Sequence, residues 1–283
     1  MTIYESMVAS YQENDGIDAS NAEQEVCQKI TLAGLHRGGF FSHAAFYGGT
    51  CLRIFHGLQR FSEDMDFSLT EKRDDVHLEN FFPAIRKEFN IAGFDVEIKK
   101  KEKKTFGRVE SAFLKENTEA YDLKFNTRRQ VKVKIELDTN PPLSFDTEQK
   151  LLLQPYSFMT RCFTLPDLFA GKMHALVYRG WQKRIKGRDW YDFEWYIRND
   201  IPLDFRHLSA RIREFEGYDM SREEFMELLQ KKLAATDIEN VKKDVLPYIA
   251  ASQQSQLEVW SNDYFLKLAD MIRFAGYSTS TTL

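Results

Sequence analysis

Residues 131–138 alternate without a break, with Val131, Val133, Ile135 and Leu137 set against Lys132, Lys134, Glu136 and Asp138. A helix would scatter that apolar set around its circumference. A strand puts it on one face and the charges on the other. The chain must therefore build a sheet with one face on a core, and partner strands have to come from elsewhere. Asp64 to Leu69 offers one, since Met65, Phe67 and Leu69 alternate with Asp64, Asp66 and Ser68. Residues 94–101 and 108–115 read as two more, with turn signals at Gly107 and Asn126-Thr127. The later part of 40–47 and a segment near 156–163 add short strands. Residues 143–164 are otherwise mixed, and 1–19 are polar and weakly patterned.

Helical signals surround these runs. Ser20 and Glu23 form a capping-box pair ahead of Val26, Ile30 and Ala33, which predicts a helix near 20–36. A short helix starts at Gly48-Gly49 and closes at Gly57. His77–Phe89 reads as helical, with Pro83 as a kink or boundary. From Pro166 onward the pattern is helical throughout, with further helices at 189–199, 204–216, 221–234, 238–251 and 256–274. The fold class expected is α+β: a mixed or antiparallel sheet flanked by helices in the first half, then an α-helical second half. The division expected is 1–160 and 161–283. The chain has 283 residues, 43% hydrophobic, with 23 phenylalanines, ample for such cores.

Composition excludes some functions. Three widely spaced cysteines, Cys27, Cys51 and Cys162, are too few for a disulfide scaffold and have no metal-ligand spacing. They suit buried thiols in a reducing cytoplasm. Histidines lack zinc-site spacing. No run of 18 apolar residues exists, and the N-terminal segment lacks the features of a signal peptide, so a cytoplasmic protein without membrane contact is expected. The net charge of -4 rules out a wholly basic nucleic-acid binder. Its distribution is uneven, however. Residues 1–90 carry 8 basic and 14 acidic residues, 91–199 carry 21 and 15, and 200–283 carry 10 and 14. The basic middle includes Arg179, Lys183, Arg184, Lys186 and Arg188, interleaved with Trp181 and followed by Trp190 and Tyr191. Cations among aromatics can hold phosphates and stack bases, although a solvated loop has the same composition.

Asp64 and Asp66, two apart on a strand, project together. Their mutual repulsion favours a cation between them, and hard oxygen ligands suit Mg²⁺ or Mn²⁺. Alone, such a pair is more often a solvated strand face. Two neighbours change the balance. Gly48-Gly49-Thr50 lies between a strand and a helix, where glycines permit close backbone approach and a helix N-terminus favours phosphate. Glu136, on the alternating strand, would complete a carboxylate trio.

The run FYGGTCLRIFHGLQRFSEDMDFSL, followed by KIELD, LPDLFAGKMHALVYR and KGRDWYD, resembles the AbiEii/AbiGii toxin family of the DNA polymerase β-like nucleotidyltransferase superfamily. The likeness spans about Phe46 to Tyr196. It implies that Gly49 and Thr50, with Gly48, Arg53 and Lys134, hold the triphosphate of an NTP. It implies that Asp64 and Asp66 bind metal, with Glu136 as third carboxylate. Asp138 shares the strand face of Glu136 and stays an alternative. Lys172 and Asp189 match the later motifs. Lys172 would touch the triphosphate, and Asp189 would have a catalytic role unless it caps its helix. The resemblance further implies a bacterial toxin–antitoxin or abortive-infection toxin with a separate cognate antitoxin, and an RNA acceptor such as a tRNA 3′ end. Two other readings stand beside it. The acceptor could be a hydroxyl of a protein or small molecule, or the chain could be a non-catalytic nucleotide- or RNA-binding module.

Overall fold

The alternating segments form strands of a single mixed sheet. The structure is a computed structural model that describes residues 1–14, 19–101, 118–126, 130–179 and 185–276. The chain divides into two compact units, Met1–Leu143 with Thr147–Phe163, and Ser144–Asp146 with Thr164–Leu283.

The first unit holds seven strands: β1 (Ala44–Tyr47), β2 (Asp64–Leu69), β3 (Val96–Lys100), β4 (Thr118–Asn126), β5 (Gln130–Asp138), β6 (Thr147–Leu152) and β7 (Phe158–Phe163). Their order is β3-β4-β5-β2-β1-β7-β6. β2 pairs with β5 and β1 with β7 in parallel, and the other pairs are antiparallel. The apolar face buries Met65, Phe67, Leu69, Val133, Ile135 and Leu137 completely. The helices of this unit are α1 (Ile3–Asn14), α2 (Ala19–Arg37), α3 (Gly48–His56) and α4 (Phe82–Ala92). α2 lies against β5 and β7, and α4 packs on α2. That crossing depends on Gly34, where a Cβ would sit 2.6 Å from the Ile85 Cα.

Several elements depart from the pattern read above. α1 forms in the segment that looked unpatterned. Met7 is its one fully buried apolar side chain, and the helix is held by Tyr4 against the Phe94 ring and by the Tyr11 hydroxyl donating to Glu25. The 77–89 segment begins as a 3-10 turn, and α4 starts only at Phe82, with Pro83 in its first turn, where its missing N–H costs nothing. β4 and β6 were not expected, and the strand expected at 108–115 lies outside the described residues, as do Gly107 and Thr127.

The second unit is helical: α5 (Leu165–Tyr178), α6 (Gly187–Arg198), α7 (Phe205–Glu216), α8 (Arg222–Ala235), α9 (Ile238–Val245) and α10 (Asn262–Asp270). The helix read over 238–251 stops at Val245, and a 3-10 turn containing Pro247 follows. The helix read over 256–274 is two elements. A 3-10 stretch ends at Val259, and the Ser261 hydroxyl caps α10 by accepting the Tyr264 N–H. Phe169, Phe193, Phe225 and Phe265 fill the core of this unit. No described helix is long and apolar enough to cross a membrane.

Candidate active site

The parallel register of β2 and β5 sets Asp64 beside Lys134 and Asp66 beside Glu136, while Ser68 faces Asp138. Asp64, Asp66, Lys134 and Glu136 are all half-buried on the polar face of the sheet. Of the two candidates for third carboxylate, Glu136 is therefore level with Asp66, and Asp138 lies two residues further along. Lys134 Nζ stands 2.7 Å from Glu136 Oε1. Burial opposes its charge. The charge of Asp64, the hydrogen bond and charge of Glu136, and the charge of Asp66 outweigh that and hold the ammonium above the ordinary lysine range.

β1 delivers the glycine turn to this corner. Tyr47 pairs with Asp66 across the antiparallel β1–β2 ladder, and Gly48 then opens α3. Gly48 has φ +81°, and a Cβ there would lie 2.4 Å from Asp66 Oδ2. Only glycine accepts that conformation cheaply, and only a residue without a side chain lets the carboxylate rest on the backbone. Thr50 is fully buried, and its hydroxyl donates to the Asp64 carbonyl, tying the first turn of α3 to β2. Arg53 donates to Glu25 at 2.8 Å and to the carbonyls of Leu58 and Gln59, and it lies over the Phe61 ring. These contacts make Arg53 a brace between α2 and α3. Arg60, which the sequence did not single out, is 2% exposed and packs beneath Gly49.

The donor set fits a divalent cation. Two carboxylates at i and i+2 share a sheet face with a third that stands in register on the neighbouring strand, and a cradle that a Cβ would fill holds one of them. A lysine already draws a net attraction from all three.

Lys172 and Asp189 belong to the helical unit. Lys172 Nζ reaches Asp189 Oδ1 at 2.8 Å and Asp192 Oδ2 at 2.7 Å, and Arg179 Nη1 reaches Asp189 Oδ2 at 2.7 Å. Asp192 is wholly buried, and the Lys172 side chain is 14% exposed. Burial works against ionisation of Asp189. The charges of Lys172, Arg179 and Lys186 prevail and hold its carboxyl well below the usual range. Asp189 does not cap α6. Lys186 occupies that position, and the Asp189 N–H donates to the Lys186 carbonyl. Burial, helped by Arg179, pushes the Lys186 ammonium down to about 8. Trp181, Lys183 and Arg184 lie outside the described residues. Tyr191 and Tyr196 are core residues.

Among the described residues, one acidic trio has ligand atoms all within 4.8 Å of one another, and it is Asp146, Asp167 and Asp204, in the helical unit. Its chemistry is that of two helix starts. Asp204 caps α7 by accepting the His207 N–H at 3.0 Å. Asp167, in the first turn of α5, accepts from the Thr164 hydroxyl at 2.5 Å and the Asp146 N–H at 3.0 Å. Arg206 pairs with Asp146 and Asp204. Burial above all, and the charges of Asp204 and Asp146, push the Asp167 carboxyl up to about 6 against those two donors. An acid whose folded pKa exceeds its unfolded value of about 3.9 binds its proton more tightly when folded. Stability is therefore lost as pH rises from about 4 to about 6, and the loss persists above that. Asp167→Asn should melt a few degrees higher than wild type at pH 7, about 2–4 °C for a gain on the order of 1 kcal/mol. At pH 4 the two should melt together. A lower melting temperature at pH 7 would show that the charge is stabilising there.

The model of the family described as "Nucleotidyl transferase AbiEii toxin, Type IV TA system" matches residues 30–268. Among solved structures, the chain is similar to MenT4, a nucleotidyltransferase toxin from Mycobacterium tuberculosis H37Rv. The TM-score is 0.57 at 16% identity, over 96% of this chain and 94% of that one. It is also similar to a putative nucleotidyltransferase from H. pylori, with a TM-score of 0.51 at 15% identity, over 90% of this chain and 94% of that one. At such identities the likeness shows a shared fold. No curated protein matches the sequence.

Proposed function

The chain belongs to the AbiEii family of nucleotidyl transferase toxins of type IV toxin–antitoxin systems, and from that premise we propose that it uses a divalent cation to transfer NMP from an NTP to an RNA 3′ end, with tRNA as the RNA class. The observation that carries the metal and nucleotide assignments is the β2–β5 register, which sets Asp66 level with Glu136 beside the Gly48 turn. We assign the transfer chemistry to the sheet-bearing unit, with a cognate antitoxin as the partner of the system.

In this reading the acceptor hydroxyl oxygen bonds to the α-phosphorus, the bond from that phosphorus to pyrophosphate breaks, and the hydroxyl proton leaves to a carboxylate or water. Mg²⁺ or Mn²⁺ held by Asp64, Asp66 and Glu136 would lower the pKa of the attacking hydroxyl and neutralise the departing pyrophosphate. The first-turn N–H groups of α3 would receive the phosphates at the positive end of the helix dipole. Lys134, kept fully charged by its neighbours, supplies a cation beside the carboxylates. Thr50 acts by holding α3 against β2.

An RNA acceptor is supported by the same sheet face. Lys132 on β5, Lys124 on β4 and Lys99 on β3 are all exposed, and they lie on the polar side that carries Asp64 and Asp66. The test is to incubate the protein with each labelled NTP, Mg²⁺ and total RNA, and separately with a protein extract. Label on small RNA is the expected result. Label on protein alone would replace RNA by a protein hydroxyl, and NTP binding without any transfer would overturn the catalytic reading.

A further inference from the structure

β6 ends the sheet on one side, and nothing in the proposed chemistry uses it. Among the described residues its one neighbouring strand is β7. The antiparallel register runs from Thr147↔Phe163 to Leu152↔Phe158 without a bulge, and the strand contains no proline or glycine. Two of the devices that usually blunt an edge are therefore missing. Apolar side chains lie exposed beside it, namely Leu151, Leu153 and Met159, the register partner of Leu151 on β7. A third device, charge, is present in Glu148 and Lys150, and its arrangement is informative.

The ladder fixes which backbone groups face outward. Just ahead of β6, the Thr164 N–H donates to the Asp146 carbonyl. Hydrogen-bonded positions alternate along an antiparallel pair. Glu148, Lys150 and Leu152 therefore turn their backbone groups toward β7, and Thr147, Gln149 and Leu151 turn theirs away from it. The side chains of Glu148 and Lys150 share one face, with Nζ and Oε2 2.9 Å apart. Those of Thr147, Gln149 and Leu151 are exposed on the other.

This order of charges is self-complementary. Glu148 and Lys150 flank Gln149 symmetrically. A second copy of β6 laid antiparallel, with a two-fold axis at Gln149, sets each Glu148 opposite Lys150 of the other copy. Those are non-hydrogen-bonded positions, where opposed side chains stand closest. Gln149 then faces its own equivalent and Thr147 faces Leu151, so the outward N–H and C=O groups of all three find partners. Centring the pair on Glu148 or on Lys150 instead would set like charges against each other.

We propose that β6 is the contact through which two copies of this chain form an isologous dimer, with their sheets continuous across a two-fold axis at Gln149. The inference is independent of the transfer reading. An edge pairing this short covers little area, so the dimer should dissociate on dilution.

The test is sedimentation velocity on the full chain over micromolar concentrations, with melting temperature measured for each variant. Wild type should pass from monomer to dimer as concentration rises, and a wild type that stays monomeric overturns the inference. Gln149→Pro removes an N–H aimed at the other copy and leaves the β6–β7 ladder intact. It should be monomeric and melt within a few degrees of wild type. Undiminished dimerisation of that folded variant overturns the inference. Glu148→Lys sets amines against amines in its own dimer, and Lys150→Glu sets carboxylates against carboxylates. Each should raise the dimer Kd by about 10-fold or more, since two attractive pairs become two repulsive ones. Mixed in equal amounts, these two variants should regain the dimer, because every charge then meets its opposite. A dimer made through any other surface would show no such recovery, and its absence overturns the inference. Should Gln149→Pro fail to fold, the mixing experiment decides alone.

Discussion

Asp66→Asn should abolish nucleotidyl transfer, by about 10³-fold or more, which is roughly 4 kcal/mol of barrier, and should leave the melting temperature within a few degrees of wild type. The substitution keeps the shape of the side chain and removes its charge. Asp66 is half-buried on the polar face of β2, opposite Glu136 on one side and Tyr47 on the other, so the strand does not depend on it for its core. If the trio holds a divalent cation, as proposed, removing one of its charges affects the chemistry. Gly48→Ala tests the same corner from the backbone. It forces a side chain into φ +81° and to within 2.4 Å of Asp66 Oδ2, so it should lose transfer to a similar degree. Unlike the asparagine variant it should also lose stability, since both the backbone conformation and the contact resist it. Glu136→Gln should follow Asp66→Asn, and Asp138→Asn, opposite Ser68 and further along the strand, should lose much less. Measured with labelled NTP and RNA, full activity in Asp66→Asn would remove the carboxylate trio from the mechanism.

What the sequence could reveal depended on whether burial and polarity vary together along the chain. β5 was legible because its inward residues are apolar and its outward ones charged at every step. β6 was not. It is an edge strand in which only Leu152 is buried, and an exposed edge has no alternation to display. β4 does alternate, with Tyr121, Leu123 and Phe125 inward. The run at 108–115 alternates as well, and the two patterns compete for the same place in the sheet. α1 lacked a signal because its stability comes from contacts made by Tyr4 and Tyr11 with distant residues. The same division runs through the site. Asp64 and Asp66 were legible as a pair because strand period alone puts them on one side. The glycines were legible as a turn, but what each makes room for was not. Arg60 left no trace, since a buried cation looks in sequence like any surface arginine. Arg53 looked available for phosphate, and its commitment to Glu25 and two carbonyls depends on a fold that brings residues 25, 58 and 59 together.

Lys172 carries the largest expected effect on stability. Its ammonium bridges Asp189 and Asp192, both buried, across α5 and α6. Lys172→Met keeps much of the side-chain volume and removes the cation. The carboxylates left without that partner should make the variant roughly 3–5 kcal/mol less stable, the range for breaking one side of a buried pair. Arg179 still pairs with Asp189, which moderates the loss there. Adding Asp192→Asn or Asp189→Asn to Lys172→Met should restore part of the stability, because each removes a carboxylate that has lost its cation. A double-mutant cycle by urea unfolding reads that coupling directly. The pH dependence has a definite sign. The Asp189 carboxyl is held below its unfolded value of about 3.9, so its contribution is present above that pH and disappears as pH falls through the folded value. Wild type should lose stability more steeply than Lys172→Met below pH 4, and the two curves should approach each other in acid. Equal stability of the two proteins at pH 7 would mean that the lysine is not committed to these aspartates and is available to a phosphate. With the expected loss, the internal ion pair is the first role of Lys172, and any contact with the triphosphate has to be measured as a change in KM on protein kept well below its melting temperature.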